Sequence, residues 1–301
     1  MGAGAVGCFF GGMLARGGHE VVLIGRPHHV LAIERERLRL QTPLFDEAIP
    51  ISASIEANAV TGAELVLFCV KSTDTETAAA AMKQHLLVDA LVVTLQNGVD
   101  NAERVRNVVA QEVCAAAVYV ACEMAGPGHV RHHGRCELVV EPSDAARRMA
   151  RVANAAGIQT QLSQNVRGAL WEKLVLNCAY NAISALVQLP LGELRRLGGT
   201  GVETAMRDIV AECIAVARAD GVDMSDSVDT TVRSIMNTIP TGQYSSTAQD
   251  LARNRHSEID HLNGHIVRRG LVLGIPTPVN HLLLLLIQVL DNRRSWGGER
   301  V

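Results

Sequence analysis

The chain lacks a surplus of positive charge. Its 28 Lys and Arg stand against 31 Asp and Glu, a formal net charge of -3, which argues against nucleic acid or an anionic membrane surface as a partner. Long apolar runs are missing too. The longest, Leu282 to Ile287 within His281 to Leu290, falls far short of the roughly 20 residues a membrane span needs and reads as a buried terminal helix. No C-x-x-C pair occurs among the seven cysteines (Cys8, Cys69, Cys114, Cys122, Cys136, Cys178, Cys213), most of which lie in apolar stretches. They read as reduced core residues of a cytoplasmic protein. There is no internal repeat and no low-complexity segment, and no signal peptide is read, because the first residues already belong to a motif.

What is present is a chain of 301 residues, 48% hydrophobic and 20% charged, long enough for two cores. Its first 165 residues alternate β-rich apolar runs (His19 to Gly25, Glu64 to Val70, Ala90 to Gln96, Glu112 to Val120) with segments of helical spacing (Ala5 to Arg16, Thr75 to His85, Asn101 to Val109). Such alternation predicts a parallel sheet with crossover helices. Gly126 to Glu141, with Gly126-Pro127-Gly128 at its start and Gly134 in its middle, reads as antiparallel strands around a turn. From about Val166 the periods become helical: 167–186, 200–219, a segment near 225–237, 246–270 and 278–292. The expectation is an α/β fold with two domains: a Rossmann-type parallel sheet domain over 1–165 and an all-helical domain over 166–301.

Gly2-Ala3-Gly4-Ala5-Val6-Gly7 fits G-x-G-x-x-G and leads directly into an apolar helical run. Gly2, Gly4 and Gly7 then let backbone approach a pyrophosphate, with the free N–H groups of a helix start facing it. The strand that normally enters this motif is reduced to Met1, so the sheet is expected to carry a gap there. The next strand ends in Arg26, where an NAD-selective site would place an acidic residue; an arginine points to a 2′-phosphate and hence to NADP. Lys71 and Gln96-Asn97-Gly98 should lie at the carboxyl ends of two further strands, where ligands of open α/β sheets gather. The plainer readings are a surface lysine and an Asn97-Gly98 tight turn.

In the second half, Lys173, Asn177 and Asn181 stand at four-residue steps in WEKLVLNCAYN, so a helix would present all three from one face. A lysine held against an apolar wall is one whose proton can be given away. Further on, Ser245 or Ser246 would cap a helix. Glu258 is expected three turns into that helix, on a face near Ser246, so that hydroxyl and carboxylate could meet one substrate. Solvated residues on helix faces are the plainer alternative.

Taken together, GAGAVG, CVKS, LQNGV, WEKLVLNCAYN and Y-S-S-x-x-Q-D-x-x-x-x-R-x-x-E-I-D-x-L-N-G make the chain, from Gly2 to about Leu290, resemble ketopantoate reductases, which reduce 2-dehydropantoate with NADPH. The resemblance implies that the catalytic pair is Lys173, as the acid, and Glu258, as anchor of the substrate hydroxyl. It implies that Asn97, Asn177, Asn181 and Ser246 line the substrate pocket, that Arg26 and Lys71, with the glycines and Asn97, serve the cofactor, and that no metal is called for. The expected partner is a small 2-keto acid, with a homodimer admitted. Three competitors stay open: a β-hydroxyacid-type dehydrogenase, which would not need Glu258; a reductase of the same family for another 2-keto acid; and a non-catalytic NADP-binding protein.

Overall fold

The computed structural model describes residues 1–224 and 227–295. It divides into two compact units, Met1–Ala169 and Leu170–Val301. The boundary falls four residues beyond the change of character at 166, inside the helix Val166–Val187.

In chain order the first unit comprises α1 (Ala5–Arg16), β1 (Val22–Ile24), α2 (Pro27–Glu36), β2 (Leu38–Gln41), β3 (Asp46–Ile49), β4 (Ser52–Ser54), β5 (Leu65–Phe68), α3 (Thr75–Met82), β6 (Leu91–Thr94), α4 (Asn101–Arg106), β7 (Glu112–Gly126), β8 (His129–Val140), α5 (Asp144–Ala155) and β9 (Gln159–Leu162). The parallel sheet is there: β5, β6 and β7 run side by side in parallel. Their apolar side chains, with β6 buried throughout, suit a sheet covered on both faces. The sheet is nevertheless mixed. β8 returns antiparallel to β7 and carries the parallel strands β2 and β9 on its other edge, with β3 antiparallel to β2.

The turn expected within 126–141 lies at Pro127-Gly128, where Gly128 takes φ +64°, and the antiparallel partner of 129–140 is the preceding strand. Gly134, at φ +149°, instead sits where the β7–β8 register shifts. It serves a bulge rather than a turn. The short strands β2, β3, β4 and β9 carry too few residues for a clear period of two, and sequence reasoning passed over them.

The gap at the opening strand is also present. β1 and β4 form a separate two-stranded sheet. Between Ile24 and β5 runs only Met1–Ala3: Gly2 and Ala3 donate from backbone N–H to Ile24 O (2.8 and 2.9 Å), while Met1 N donates to Leu67 O (2.9 Å) and Met1 O accepts from Cys69 N (2.8 Å). Phe9, Phe10, Leu38, Leu40, Leu138 and Ile158 are buried to 2% exposure or less and form the centre of this unit's core.

The second unit is helical: α6 (Val166–Val187), α7 (Leu191–Ala219), α8 (Val228–Thr238), α9 (Ser246–Ala252), α10 (Asn263–Leu273) and α11 (Pro278–Ser295). Pro190 caps the start of α7, and Gly199, at φ +52° and ψ -138°, leaves helical geometry, so α7 is two helices that meet at a kink at the Gly198-Gly199 break. Of the segment read near 225–237, Ser225 and Asp226 lie outside the described residues, as do the last residues, 296–301, of the expected domain. Among the described residues no single helix is long and apolar enough to cross a membrane.

The helix expected over 246–270 is two helices. α9 stops at Ala252, and Asn254 adopts the left-handed region at φ +53°. Arg255 N then donates to Asp250 O (2.8 Å) and Asn254 N to Leu251 O (3.2 Å). These two bonds are the Schellman pattern that closes a helix, with asparagine in the role usually held by glycine. A loop and one 3-10 turn, Ile259–His261, lead on to α10.

Candidate active site

In the first unit the glycine loop is fixed by close approaches of backbone to backbone. A Cβ on Gly7 would lie 2.1 Å from Gly2 O, and one on Gly2, which holds φ +98°, would lie 2.6 Å from the backbone of Cys69 and Val70. Neither position admits a side chain. Gly4 differs: an added Cβ would meet nothing within 4 Å. It is the exposed N-cap of α1, and no acidic residue stands in the first helical turn. The loop is therefore tight on the protein side and open at the helix start, the arrangement a phosphate group needs. Arg26 is exposed at the end of β1, as the N-cap of α2. These residues fit a dinucleotide.

Lys71 and Asn97 follow the neighbouring parallel strands β5 and β6, so the fold brings both to one end of the sheet. Each is half-buried, and Gly98, at φ +97°, turns the chain after Asn97. A set of buried polar side chains, of which the sequence pointed to Gln96 but not to Ser72, Thr75 or Asn101, ties the two loops together. Ser72 Oγ donates to Asn97 O (3.0 Å), Asn101 Nδ2 donates to the same carbonyl (2.6 Å), and Gln96 Nε2 donates to Thr75 Oγ1 (2.8 Å). Gln96 Oε1, buried, finds no hydrogen-bond partner among the described residues.

In the second unit, α6 is helical throughout, so Lys173, Asn177 and Asn181 do share one face. Its other sides bury Trp171, Leu174, Val175, Cys178 and Ala182, while Lys173 and Asn177 are half-buried and Asn181 is 4% exposed. Ser245 is the helix cap: its Oγ accepts from Ala248 N (3.0 Å) and donates to Asn181 O (3.1 Å). That leaves Ser246, the first residue of α9, to accept from Asn181 Nδ2 (3.3 Å). The structure thus brings Asn181 and Ser246 together.

Glu258 is not on the helix of Ser246, and the expected alignment of their faces does not hold. It is half-buried at the head of the 3-10 turn that precedes α10. Its neighbour Ser257 donates from Oγ to Asp291 Oδ2 of α11 (2.6 Å), and Ser257 N bonds to the same carboxylate (3.2 and 3.3 Å). Asn263, of the L-N-G motif, is wholly buried and donates to Cys178 O (3.4 Å) and Asn280 Oδ1 (2.9 Å). Glu212 in turn accepts from Val279 N and Asn280 N at the start of α11 (2.8 and 2.9 Å).

Residues 1–145 match the family described as ketopantoate reductase PanE/ApbA, and residues 165–291 match its C-terminal domain. The chain belongs to the ketopantoate reductase family. A 2-dehydropantoate 2-reductase of Halobacterium salinarum is 33% identical over 300 residues, covering 96% of both chains. A PanE/ApbA family ketopantoate reductase from Ralstonia eutropha JMP134 superimposes with a TM-score of 0.93 at 60% identity, covering 98% of each chain. A D-mandelate dehydrogenase solved with NADH and anilino(oxo)acetate shares the fold, with a TM-score of 0.90 at 23% identity over 98% of each chain. Both parts of this ketopantoate reductase family member are thus accounted for by one family, in the order the sequence motifs run.

Proposed function

We propose that the protein reduces 2-dehydropantoate to pantoate with NADPH. The observation that carries the reading is the polar face of α6, where Lys173, Asn177 and Asn181 share one helix surface and Asn181 is bonded to Ser246. NADPH, when bound, supplies the hydride that C2 of the keto acid receives. The open helix start at Gly4 takes the pyrophosphate, Arg26 reads the 2′-phosphate, and Lys71 and Asn97 hold the nicotinamide side.

As C2 is reduced, its oxygen gathers negative charge that must be stabilised and then protonated. The Lys173 ammonium does both, passing one proton to that oxygen and regaining it from solvent. Asn97, Asn177 and Asn181 offer neutral hydrogen bonds that orient carbonyl and carboxylate without adding charge, and Ser246 extends the set. Glu258 accepts from the C4 hydroxyl, a hydrogen bond that keto acids lacking that group do not make, so they are reduced less well. The protein acts in the cytoplasm, as a monomer or as a homodimer.

The test is NADPH and NADH oxidation followed optically against 2-dehydropantoate and a panel of other 2-keto acids. Turnover greatest with NADPH and 2-dehydropantoate is expected. Faster turnover of a keto acid without a C4 hydroxyl would move the protein to another substrate, and none with any keto acid would refute the reductase reading.

A further inference from the structure

The two loops at the ends of β5 and β6 share one hub, Asn101. Its side chain is 4% exposed, and all of its polar capacity is directed inward. Nδ2 donates to Asn97 O (2.6 Å) and to Ser72 Oγ (3.1 Å), while Oδ1 accepts from Thr75 Oγ1 (3.0 Å) and Arg104 Nη1 (3.0 Å). The orientation of the amide is decided by this set, since a flip would aim Oδ1 at the Asn97 carbonyl and Nδ2 at a guanidinium. Arg104 also donates to Ser72 O (2.8 Å) and pairs with Glu76 (2.7 Å). Ser72 and Thr75 are both wholly buried, and the Asn97 carbonyl receives two donors, Ser72 Oγ and Asn101 Nδ2.

We infer that Asn101 is a positioning residue for the reductase reaction, holding the Asn97 main chain, directly and through Ser72, in the attitude that lets the Asn97 side chain engage cofactor and substrate. The inference rests on the reductase reading of this strand end. The geometry makes it specific. Gly98, directly after Asn97, takes φ +97°, a conformation that a glycine leaves readily unless something outside the turn holds it. A carbonyl gripped by two buried donors is such a hold. Misplacing a reacting group by about 1 Å can cost about 10²-fold in rate, so a side chain that never touches substrate controls turnover.

The experiment is a double-mutant cycle in the full chain. Asn101→Ala, Asn97→Ala and the double variant are compared for NADPH binding by fluorescence titration and for kcat and KM with 2-dehydropantoate. Asn101→Ala should lower kcat/KM by about 10- to 100-fold. In the Asn97→Ala background the same change should cost no more than about twofold, the scatter expected of sites with nothing left to couple. Equal losses in both backgrounds would make Asn101 merely structural and overturn the inference, as would an Asn97→Ala protein with wild-type binding and turnover. Should Asn101→Ala fail to fold, Ser72→Ala removes one of the two donors and enters the same cycle. Should the wild type turn over no keto acid, the reductase reading fails on its own account, and the cycle is then judged on NADPH binding alone.

Discussion

Ser257 and Asp291, 34 residues apart, are joined by a buried hydrogen bond of 2.6 Å from hydroxyl to carboxylate. Ser257 precedes Glu258, and Asp291 lies near the end of α11, so the terminal helix holds the loop on which Glu258 stands. Both residues are 7% exposed. Ile259 N donates back to Ser257 Oγ (3.3 Å), extending the anchor to both sides of Glu258.

Asp291→Ala is therefore expected to destabilise the protein by about 1–3 kcal/mol, since it leaves the buried Ser257 N–H and hydroxyl without their acceptor. Asp291→Asn, which keeps one oxygen in place, should cost less. Urea denaturation of the three proteins measures the difference; an alanine variant as stable as wild type would show that the anchor carries no stability.

Lys173→Ala should lower kcat by about 10²–10⁴-fold, the worth of a positioned acid, with NADPH binding nearly unchanged. Steady-state kinetics beside a fluorescence titration separate the two. A variant keeping more than half of wild-type turnover would remove Lys173 from the mechanism.

Arg26→Ala should weaken NADPH by roughly 1.5–3 kcal/mol and leave NADH almost untouched, because only the phosphorylated ribose offers a charge-assisted partner. Calorimetric titration with each cofactor decides it. Equal losses for both would mean that Arg26 does not read the 2′-phosphate.

Glu258→Gln should slow reduction of 2-dehydropantoate far more than that of a keto acid with no C4 hydroxyl. The measured quantity is the ratio of the two kcat/KM values. If the ratio stays constant, Glu258 is not the specificity group.

Burial pushes the Cys8 thiol up to about 12 and the Cys69 thiol up to about 11. Native protein should accordingly resist alkylation at Cys8 and Cys69 at neutral pH, while all seven cysteines, free in the fold, label after denaturation. Peptide mapping by mass spectrometry gives the count. Because Cys8 holds its proton more tightly when folded, its contribution to stability is present below pH 9 and is lost as pH rises from 9 toward about 12. Melting temperatures across that range should fall less steeply for Cys8→Ala.

Much of the fold and of the candidate site is legible in the sequence. The 3.6-residue period of α6 placed Lys173, Asn177 and Asn181 on one face by local geometry alone, and alternating strands and helices, which imply parallel pairing, placed Lys71 and Asn97 at the same sheet end. What escaped reading has a common physical cause. The stop after Ala252 depends on Asn254 entering the left-handed region, which asparagine does only when the surrounding bonds favour it. The grip of Asn101 on Ser72 and of Asp291 on Ser257 joins residues 29 and 34 positions apart, and no period or spacing encodes such a pairing. The β7–β8 register shift at Gly134 likewise depends on the partner strand.

The close approach of Gly7 to Gly2 O and of Gly2 to the Cys69 backbone bears on how this protein could be altered. Neighbours there are main-chain atoms, so no compensating change of side chain elsewhere can make room for a methyl group. At Gly2 and Gly7 the loop offers selection and engineering nothing to adjust. Any retuning between phosphorylated and unphosphorylated nucleotides has to run through exposed positions such as Arg26, where a replacement meets solvent and can be exchanged without disturbing the turn that receives the phosphates.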